Sequence, residues 1–494
     1  MSFFIFLFFV LYLSLCLIRL DWAVLLLIAG LPSYLIRFQI LGLPSTLLEG
    51  MILISFSVWF FRHTNFKKFL TGKYCLKDFQ ENRKKRLPYP FGVEIIILLL
   101  VSFVAVLIAG ASLEAFGAWK AYFFEPILFF ILVLNMLGQK DDSEKKGKKP
   151  RINVNRIIMA LGVSAIAVSL FAIYQKITGA FIFNEFWADE ATRRVTSFFP
   201  YPNAIGLYLG PIILIFIGFL FYLFRTKNKK TEPQKIKNFW LQIFFISITI
   251  VLSLLSIYFA KSEGALFGIM TGLFIFGIFA GKKTRLAFIV VGFLISAGIC
   301  AHTPSRQLVY EKIILMDHSG QIRRAQWTET WEMLKNENWI AGAGLANYQN
   351  AVAPFHIEGI FVKDIYDPDF QRKVLFDKDF HEKAWQPLEI YLYPHNIFLN
   401  FWVELGIVGA LLFIWLMIKY FYFSFKSYVL ETKNNKNEKY LILGVIGAMI
   451  VIIVHGLVDV PYFKNDLSVL FWLCIALIAF FRLKYKAENK KFLN

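Results

Sequence analysis

Residues 204–224 read AIGLYLGPIILIFIGFLFYLF, a run of 21 residues without a charged side chain. A helix of this length rises about 30 Å, which is enough to cross the hydrocarbon core of a bilayer. Similar runs of about 18–22 residues recur along the 494-residue chain, in which 57% of the residues are hydrophobic and only 18% are charged. Because lipid offers the backbone no hydrogen-bonding partner outside a helix, we predict an all-α, polytopic integral membrane protein.

The predicted transmembrane helices number thirteen, or twelve if the first two form one broken or tilted segment, because Arg19, Asp21 and Pro32 interrupt them. The predicted spans are 3–19, 22–38, 43–61, 91–110, 118–138, 154–175, 204–224, 239–259, 263–281, 285–302, 396–418, 440–459 and 467–482. The chain then divides into transmembrane helices in 1–302, one large loop in 303–395, and C-terminal transmembrane helices with a tail in 396–494.

Lysine and arginine are concentrated in short segments between the predicted spans: nine lie in 62–90, seven in 139–156 and six in 225–238. The segment 303–395 instead holds ten basic against thirteen acidic residues. The positive-inside rule therefore places the basic segments and the C-terminal tail in the cytoplasm and the large loop outside. This rule also accounts for the net charge of +19, so we expect these charges to face membrane lipids and expect no nucleic-acid partner.

Patterns typical of metal or nucleotide sites do not occur in the sequence. No pair of histidines has H-x-x-x-H or H-E-x-x-H spacing, and there is no Gly-rich phosphate loop. None of the four cysteines lies in the large loop, so no disulfide framework or cysteine-based metal site is indicated there. We therefore expect no metal and no cofactor.

The large loop itself has a globular pattern. Residues 320–336 are predicted to form an amphipathic helix, with Ile322, Trp327, Trp331 and Leu334 near one stripe. The run Gly342-Ala343-Gly344 is typical of a tight turn at the end of this unit.

The first candidate for chemistry is the pair Arg193 and Arg194, which lies shortly before Pro202-Asn203 at the start of a predicted span. Guanidinium groups bind phosphate oxygens through two parallel hydrogen bonds, and the start of a helix adds its own positive end. The alternative is that the arginines extend to the membrane interface and that Asn203 caps its helix.

Two further candidates belong to the large loop. Arg323 and Arg324 lie on its amphipathic helix, where they either face a cavity of the membrane domain or form a solvated surface. His395-Asn396 lies directly before a predicted span. A histidine at this edge can act as a partly desolvated base, although an interfacial histidine can equally have no chemical role.

Ionisable residues also occur inside or at the ends of predicted spans. Lys261 and Glu263 lie at the outer end of the ninth span, and His455 and Asp459 are four residues apart near the outer end of the twelfth. Residues with this spacing share one helix face. Ionisable groups cost about 2.5–3.5 kcal/mol at the centre of a membrane helix and less near the interface, so these residues indicate a polar cavity that opens outward.

Together, these motifs resemble the O-antigen ligase and O-antigen polymerase superfamily of membrane glycosyltransferases over roughly residues 190–410. The matching positions are Arg194 with Pro202-Asn203, Arg323 with Trp327, Gly342 with Gly344, His395-Asn396, and Glu404 with Gly406. One motif departs from the family, which often has Ser-Arg-Gly where this chain has Ser262-Glu263-Gly264. If that arginine binds donor phosphate, Lys261 or the second arginine of either pair must replace it.

The resemblance implies transfer of a glycan from a polyprenyl-pyrophosphate carrier to an acceptor hydroxyl, at the outer face of the cytoplasmic (inner) membrane. It also implies that Arg194 and Arg323 neutralise the leaving pyrophosphate, that His395 is the general base, and that the reaction is inverting and needs no metal. We expect substrate to be bound by further residues of the same region: Arg193, Arg324, Asn203, Asn396, Lys261, Glu263, His455 and Asp459.

Several alternatives stay open at this point. The enzyme could be a ligase or a polymerase, and its acceptor could be a glycan, a lipid or a protein. A non-enzymatic transporter of lipid-linked sugars would instead place cationic residues at several depths of its cavity. A sensor would need a cytoplasmic output domain, and every predicted cytoplasmic segment is too short to form one.

Overall fold

The computed structural model describes residues 3–40, 43–63, 89–138, 152–226, 233–364 and 366–492. Much of the basic segments 62–90 and 139–156 therefore lies outside the described residues. The helices are α1 (Phe3–Ala29), α2 (Leu47–His63), α3 (Gly92–Ile108), α4 (Leu113–Trp119), α5 (Glu125–Gly138), α6 (Val154–Thr178), α7 (Glu185–Ala188), α8 (Asn203–Thr226), α9 (Pro233–Ala260), α10 (Glu263–Ala280), α11 (Lys282–Ala301), α12 (Thr303–Ile313), α13 (His318–Met333), α14 (Tyr348–Val352), α15 (Phe370–Phe376), α16 (Lys378–Ala384), α17 (Ile397–Lys433), α18 (Lys439–His455) and α19 (Asn465–Phe492).

The helices confirm the predicted class, an all-α polytopic membrane protein. Among the described residues, nine helical segments are long and apolar enough to cross a membrane, and α3 and α18 are shorter apolar helices. One of the nine consists of α4 and α5 joined by a π-helical turn, Lys120–Phe124. Strands are confined there to two short antiparallel pairs: β1 (Arg37–Ile40) with β2 (Leu43–Thr46), and β3 (Gly359–Phe361) with β4 (Trp385–Pro387).

Helix α1 reverses direction at Arg19, whose backbone is not helical. The Tyr12 hydroxyl donates to the Ala23 carbonyl at 3.0 Å. In a straight helix these residues would be about 16 Å apart along the axis, so the chain must fold back on itself. The predicted break near Arg19 is therefore a tight turn between two antiparallel segments.

Helix α17 reverses in the same way at Gly406, which has a φ of +71°. The rings of Phe401 and Phe413 stack with centroids 4.1 Å apart, although they are twelve positions apart in the sequence. A short first arm, 397–405, thus lies against a long second arm, 407–433. The predicted single span 396–418 is wrong in this respect, because a glycine in the left-handed region lets the backbone turn where other residues would be strained.

Close helix contacts in the centre of the protein depend on glycine. A Cβ on Gly218 of α8 would lie 2.7 Å from the Cα of Gly444 on α18, and one on Gly272 of α10 would lie 3.2 Å from the Gly447 carbonyl oxygen. Small residues let membrane helices approach closely where lipid provides no hydrophobic driving force between them. Helices α8, α10 and α18 therefore form a tight bundle, and their ends on the side of the large loop lie next to one another.

The large loop packs onto this end of the bundle. Its helix α13 and the following turn of π-helix, Leu334–Asn338, cover the predicted segment 320–336. The predicted apolar stripe is only partly correct, because Trp331 is 44% exposed and the buried face carries polar residues such as Gln326, Glu329 and Thr330. Each of these has a specific partner, which hydropathy alone does not reveal.

Candidate functional site

The candidate site lies where the loop-side ends of α8, α10 and α18 meet α13 and the start of α17. Asn203 is the first residue of α8, Ser262 precedes α10, and His455 is the last residue of α18. Asn396 caps α17 by accepting hydrogen bonds from the backbone of Phe398 and Leu399.

Arg194 is held against the ends of two helices. Its Nε donates to the Ala260 carbonyl at 3.0 Å, and its Nη2 donates to the side-chain oxygen of Asn203 at 3.2 Å. Asn203 in turn donates to the Asp459 carboxylate at 3.4 Å. The arginine, the asparagine and the aspartate predicted from separate motifs therefore form one hydrogen-bonded chain.

Arg323 comes to the same place from the large loop. Its Nε donates to the Val458 carbonyl at 2.9 Å, and its Nη1 donates to Ser319 Oγ at 2.7 Å, one turn earlier in α13. Burial lowers the pKa of Arg194, and repulsion from Arg323 acts in the same direction, while Glu263 opposes both. Two guanidinium groups close enough to influence each other's pKa are an arrangement suited to an anion.

Neighbouring residues hold both the backbone and the ring of His395. Its backbone has a φ of +45°, in the left-handed region that a non-glycine residue adopts only when its surroundings impose it. The preceding carbonyl, that of Pro394, accepts a hydrogen bond from the Trp327 indole at 2.8 Å. The rings of Tyr391 and Tyr393 pack edge-on against the imidazole, with centroids at 5.2 and 5.0 Å.

Burial of the His395 imidazole favours its neutral form. Burial lowers the pKa of His395, and Asp459 and Arg323 act in opposite directions on it. Its Nδ1 lies 2.9 Å from the side-chain oxygen of Gln326. With that oxygen as acceptor, Nδ1 carries the ring proton and the lone pair is on Nε2, which is the form that a base requires.

A second histidine near the candidate site, His455, is buried more deeply than His395. His455 is only 2% exposed, and its Nδ1 has no hydrogen-bonding partner among the described residues. A Cβ on Gly264 would lie 2.6 Å from the His455 ring, so the small residue at this position of α10 makes room for the imidazole. Packed in this way, His455 offers a substrate less access than His395.

Three of the predicted binding residues make other contacts or face solvent. Arg193 donates to the Ala188 carbonyl and to the carbonyl of Lys176 in the last turn of α6, and Arg324 is exposed. Lys261 donates to the Thr192 carbonyl at 3.0 Å. The structure thus brings Arg194, Asn203, Arg323, His395, Asn396, His455 and Asp459 together, and turns Arg193, Arg324 and Lys261 toward other groups.

Glu263 is 67% exposed and forms an ion pair with Lys312 at 2.6 Å. Lys312 also binds Asp317 at 2.8 Å, directly before α13. The acidic residue at the position where the family often has arginine is therefore matched by a lysine from the large loop. Sequence reasoning missed Lys312 because no local pattern connects it to a residue 49 positions away.

The glycine turn 342–344 and Glu404 pack beside the site and do not belong to the group around His395. The Gly342-Ala343-Gly344 turn packs against the reversal of α17, where Ala343 N donates to the Val403 carbonyl at 2.7 Å. The Glu404 carboxylate accepts a hydrogen bond from Ala346 N at 2.7 Å. These residues contact each other and stabilise the backbone that leads to His395.

The chain was compared with known protein families and with curated proteins. A family model described as O-antigen ligase matches residues 248–414. The matched segment includes Arg323, His395 and Glu404, while Arg194 and Asp459 lie outside it. No curated protein matches the chain significantly.

Proposed function

We propose that this chain transfers a glycan from a polyprenyl-pyrophosphate carrier to an acceptor hydroxyl, since a family model described as O-antigen ligase matches residues 248–414. In this proposal the reaction takes place at the outer face of the cytoplasmic membrane, with the large loop outside and the C-terminus in the cytoplasm. The observation that supports it most strongly is the convergence of Arg194, Arg323 and His395, which come from three separate parts of the chain.

The two arginines are suited to the donor. In the donor, the glycan is attached through its anomeric carbon to the terminal phosphate of the carrier. When that carbon–oxygen bond breaks, negative charge develops on the pyrophosphate oxygen. Arg194 and Arg323 would neutralise this charge, and they are held in place before the reaction by their bonds to Ala260 and Val458. Cations arranged in advance stabilise a transition state more effectively than cations that must reorganise.

His395 is suited to the acceptor. The acceptor oxygen attacks the anomeric carbon from the side opposite the pyrophosphate, so the configuration at that carbon inverts. The acceptor proton passes to Nε2 of His395, and the resulting imidazolium is stabilised by the Asp459 carboxylate. Carrier pyrophosphate and the new glycoside are the two products, and all protons and electron pairs are accounted for without another reactant.

The position of the charges favours an enzyme over a transporter. A transporter would need cationic groups at successive depths to pass the pyrophosphate along. In this cluster Arg194 and Arg323 both lie at the loop-side helix ends, beside a single available base. Asn203 and Asp459 connect the same end of the bundle.

The proposal is tested by incubating the purified full-length protein, in lipid vesicles, with a polyprenyl-pyrophosphate oligosaccharide and a panel of acceptors. Mass analysis of the products distinguishes ligation to a lipid or protein from extension of the glycan. We expect transfer to continue in EDTA, because in this proposal the guanidinium groups of Arg194 and Arg323 neutralise the pyrophosphate. Absence of any glycoside product, with donor crossing the vesicle membrane instead, would contradict the proposal and identify a transporter.

A further inference from the structure

Gln326 is the buried partner of the candidate base. It is 2% exposed and lies on α13. Its side-chain oxygen lies 2.9 Å from His395 Nδ1, although the two residues are 69 positions apart. Its side-chain nitrogen has no hydrogen-bonding partner among the described residues, so the bond to His395 is the contact that this buried amide makes.

Helix α13 contacts the His395 segment at two successive positions. Gln326 binds the His395 ring, and the next residue, Trp327, binds the carbonyl of Pro394. One contact fixes the ring and the other fixes the backbone, which holds the imidazole in a single orientation. Arg323 lies one turn earlier on the same helix, so α13 positions both the base and one of the two cations.

A neutral amide has a different effect on histidine from a carboxylate. Both accept the proton of Nδ1 and so leave the lone pair on Nε2. A carboxylate at Nδ1 would additionally stabilise the imidazolium and so raise the pKa of the base. The charged groups that act on His395 are Arg323 on α13 and Asp459 after α18, and the hydroxyls of Tyr391 and Tyr393 belong to its own segment.

We propose that Gln326 is the positioning residue of this site, which holds His395 in the tautomer protonated on Nδ1 and directs Nε2 toward the acceptor hydroxyl. This inference rests on the proposed function, because it assigns the role of a residue beside the same base. Gln326 does not touch substrate and acts only through the imidazole.

Two substitutions separate this role from simple packing. Gln326→Glu keeps the length of the side chain and its acceptor oxygen but adds a charge. This charge should raise the pH at which His395 titrates by about one unit. Gln326→Leu removes the acceptor and should lower kcat about 10- to 100-fold while the KM for the donor stays within about twofold, because the base is then no longer held in one tautomer. Gln371→Glu is the matched control, since Gln371 is exposed on the same loop.

The titration is measured without any need for transfer activity. The purified protein is treated with diethyl pyrocarbonate over a range of pH, and the modification of the peptide that contains His395 is followed by mass spectrometry. The pH dependence of kcat is measured in parallel. A Gln326→Glu protein whose His395 titrates as in the unchanged protein would overturn the inference, and so would a Gln326→Leu protein with unchanged kcat.

The two proposals fail in different ways. If no donor and acceptor give a product, the proposed function fails, while the chemical modification still reports whether Gln326 controls His395. If transfer occurs and neither Gln326 variant changes the titration of His395 or kcat, the enzyme assignment stands and the role of Gln326 is refuted.

Discussion

Gly342 and Gly406 pack backbone against backbone, so that the turn in the large loop supports the reversal of α17. A Cβ on Gly342 would lie 2.9 Å from the Gly406 nitrogen, and one on Gly406 would overlap the Ile340 carbonyl oxygen. Both residues have a φ of +71°. Ile407 N also donates to the Ile340 carbonyl at 3.1 Å. The two glycine motifs are therefore a single structural unit that sets the position of the arm beginning after His395.

Substitution of either glycine should destabilise the protein. Gly406→Ala and Gly342→Ala each force an alanine into the left-handed region, at a cost of about 1–2 kcal/mol, and add an overlap with backbone atoms that cannot move aside easily. Thermal unfolding in detergent should show a clearly lower midpoint for both. Gly298→Ala is the control, because a Cβ there meets no atom within 4 Å. Equal midpoints for all three variants would contradict this account of the reversal.

Loss of the guanidinium group of either Arg194 or Arg323 should reduce transfer strongly. Arg194→Ala or Arg323→Ala takes away one of two cations that face the leaving pyrophosphate, and loss of one such donor costs about 10²–10³ in kcat. Initial rates of product formation at saturating donor measure the effect. Arg372→Ala serves as the control, since Arg372 is exposed on the large loop. Rates within twofold of the unchanged protein for both central variants would refute the arginine pair as the pyrophosphate site.

The two histidines of the cluster should differ in their importance for turnover. His395→Ala should lower kcat by about 10²–10⁴, the contribution of a general base, while donor binding changes little. His455 is 2% exposed and packed on Gly264, so His455→Ala should act mainly through packing and lower the thermal midpoint. Single-turnover rates and donor affinity are measured for both. A His395→Ala enzyme with near-normal turnover and an inactive His455→Ala enzyme would move the base to α18.

The dependence of activity on pH follows from the environment of His395. A general base must be unprotonated, and burial lowers the pKa of His395 below its ordinary value, which is about 6.5. Activity should therefore persist as the pH falls through 6.5, and it should be lost only at lower pH, when the imidazole becomes protonated. The acid limb of a kcat/KM profile, which reports the free enzyme, locates this transition. An acid limb above pH 6.5 would show that another group controls the reaction.

The orientation in the membrane should place Gln371 outside and Asn434 inside. This expectation comes from the one-sided distribution of Lys and Arg in the sequence. Both residues are exposed and suit single cysteine substitutions, in a background where Cys75 and the exposed Cys300 are replaced by serine. A membrane-impermeant thiol reagent applied to intact cells should label Gln371→Cys only. Labelling of Asn434→Cys instead would place the arginine cluster in the cytoplasm and exclude the proposed reaction.

The membrane class of the protein could be predicted from the sequence because hydropathy acts on each segment separately. A run such as 204–224 is apolar whatever the rest of the chain does, and α8 occupies 203–226 in the structure. The reversal at Gly406 could not be predicted in the same way. By hydropathy the segment 396–418 reads as one span, and the turn is seen only in tertiary contacts such as Gly406 against Ile340 and Phe401 on Phe413.

Several candidate site residues could also be identified from the sequence, because ionisable residues inside predicted spans or at their ends next to the large loop cost free energy and so stand out. Their grouping was decided by the tertiary structure. Asn203 meets Asp459 across 256 positions and Gln326 meets His395 across 69, distances over which a sequence pattern carries no information about contact. The same folding turns Arg193 and Arg324 away from the cluster. Sequence determines which side chains are available at the membrane surface, and helix packing decides which of them share one site.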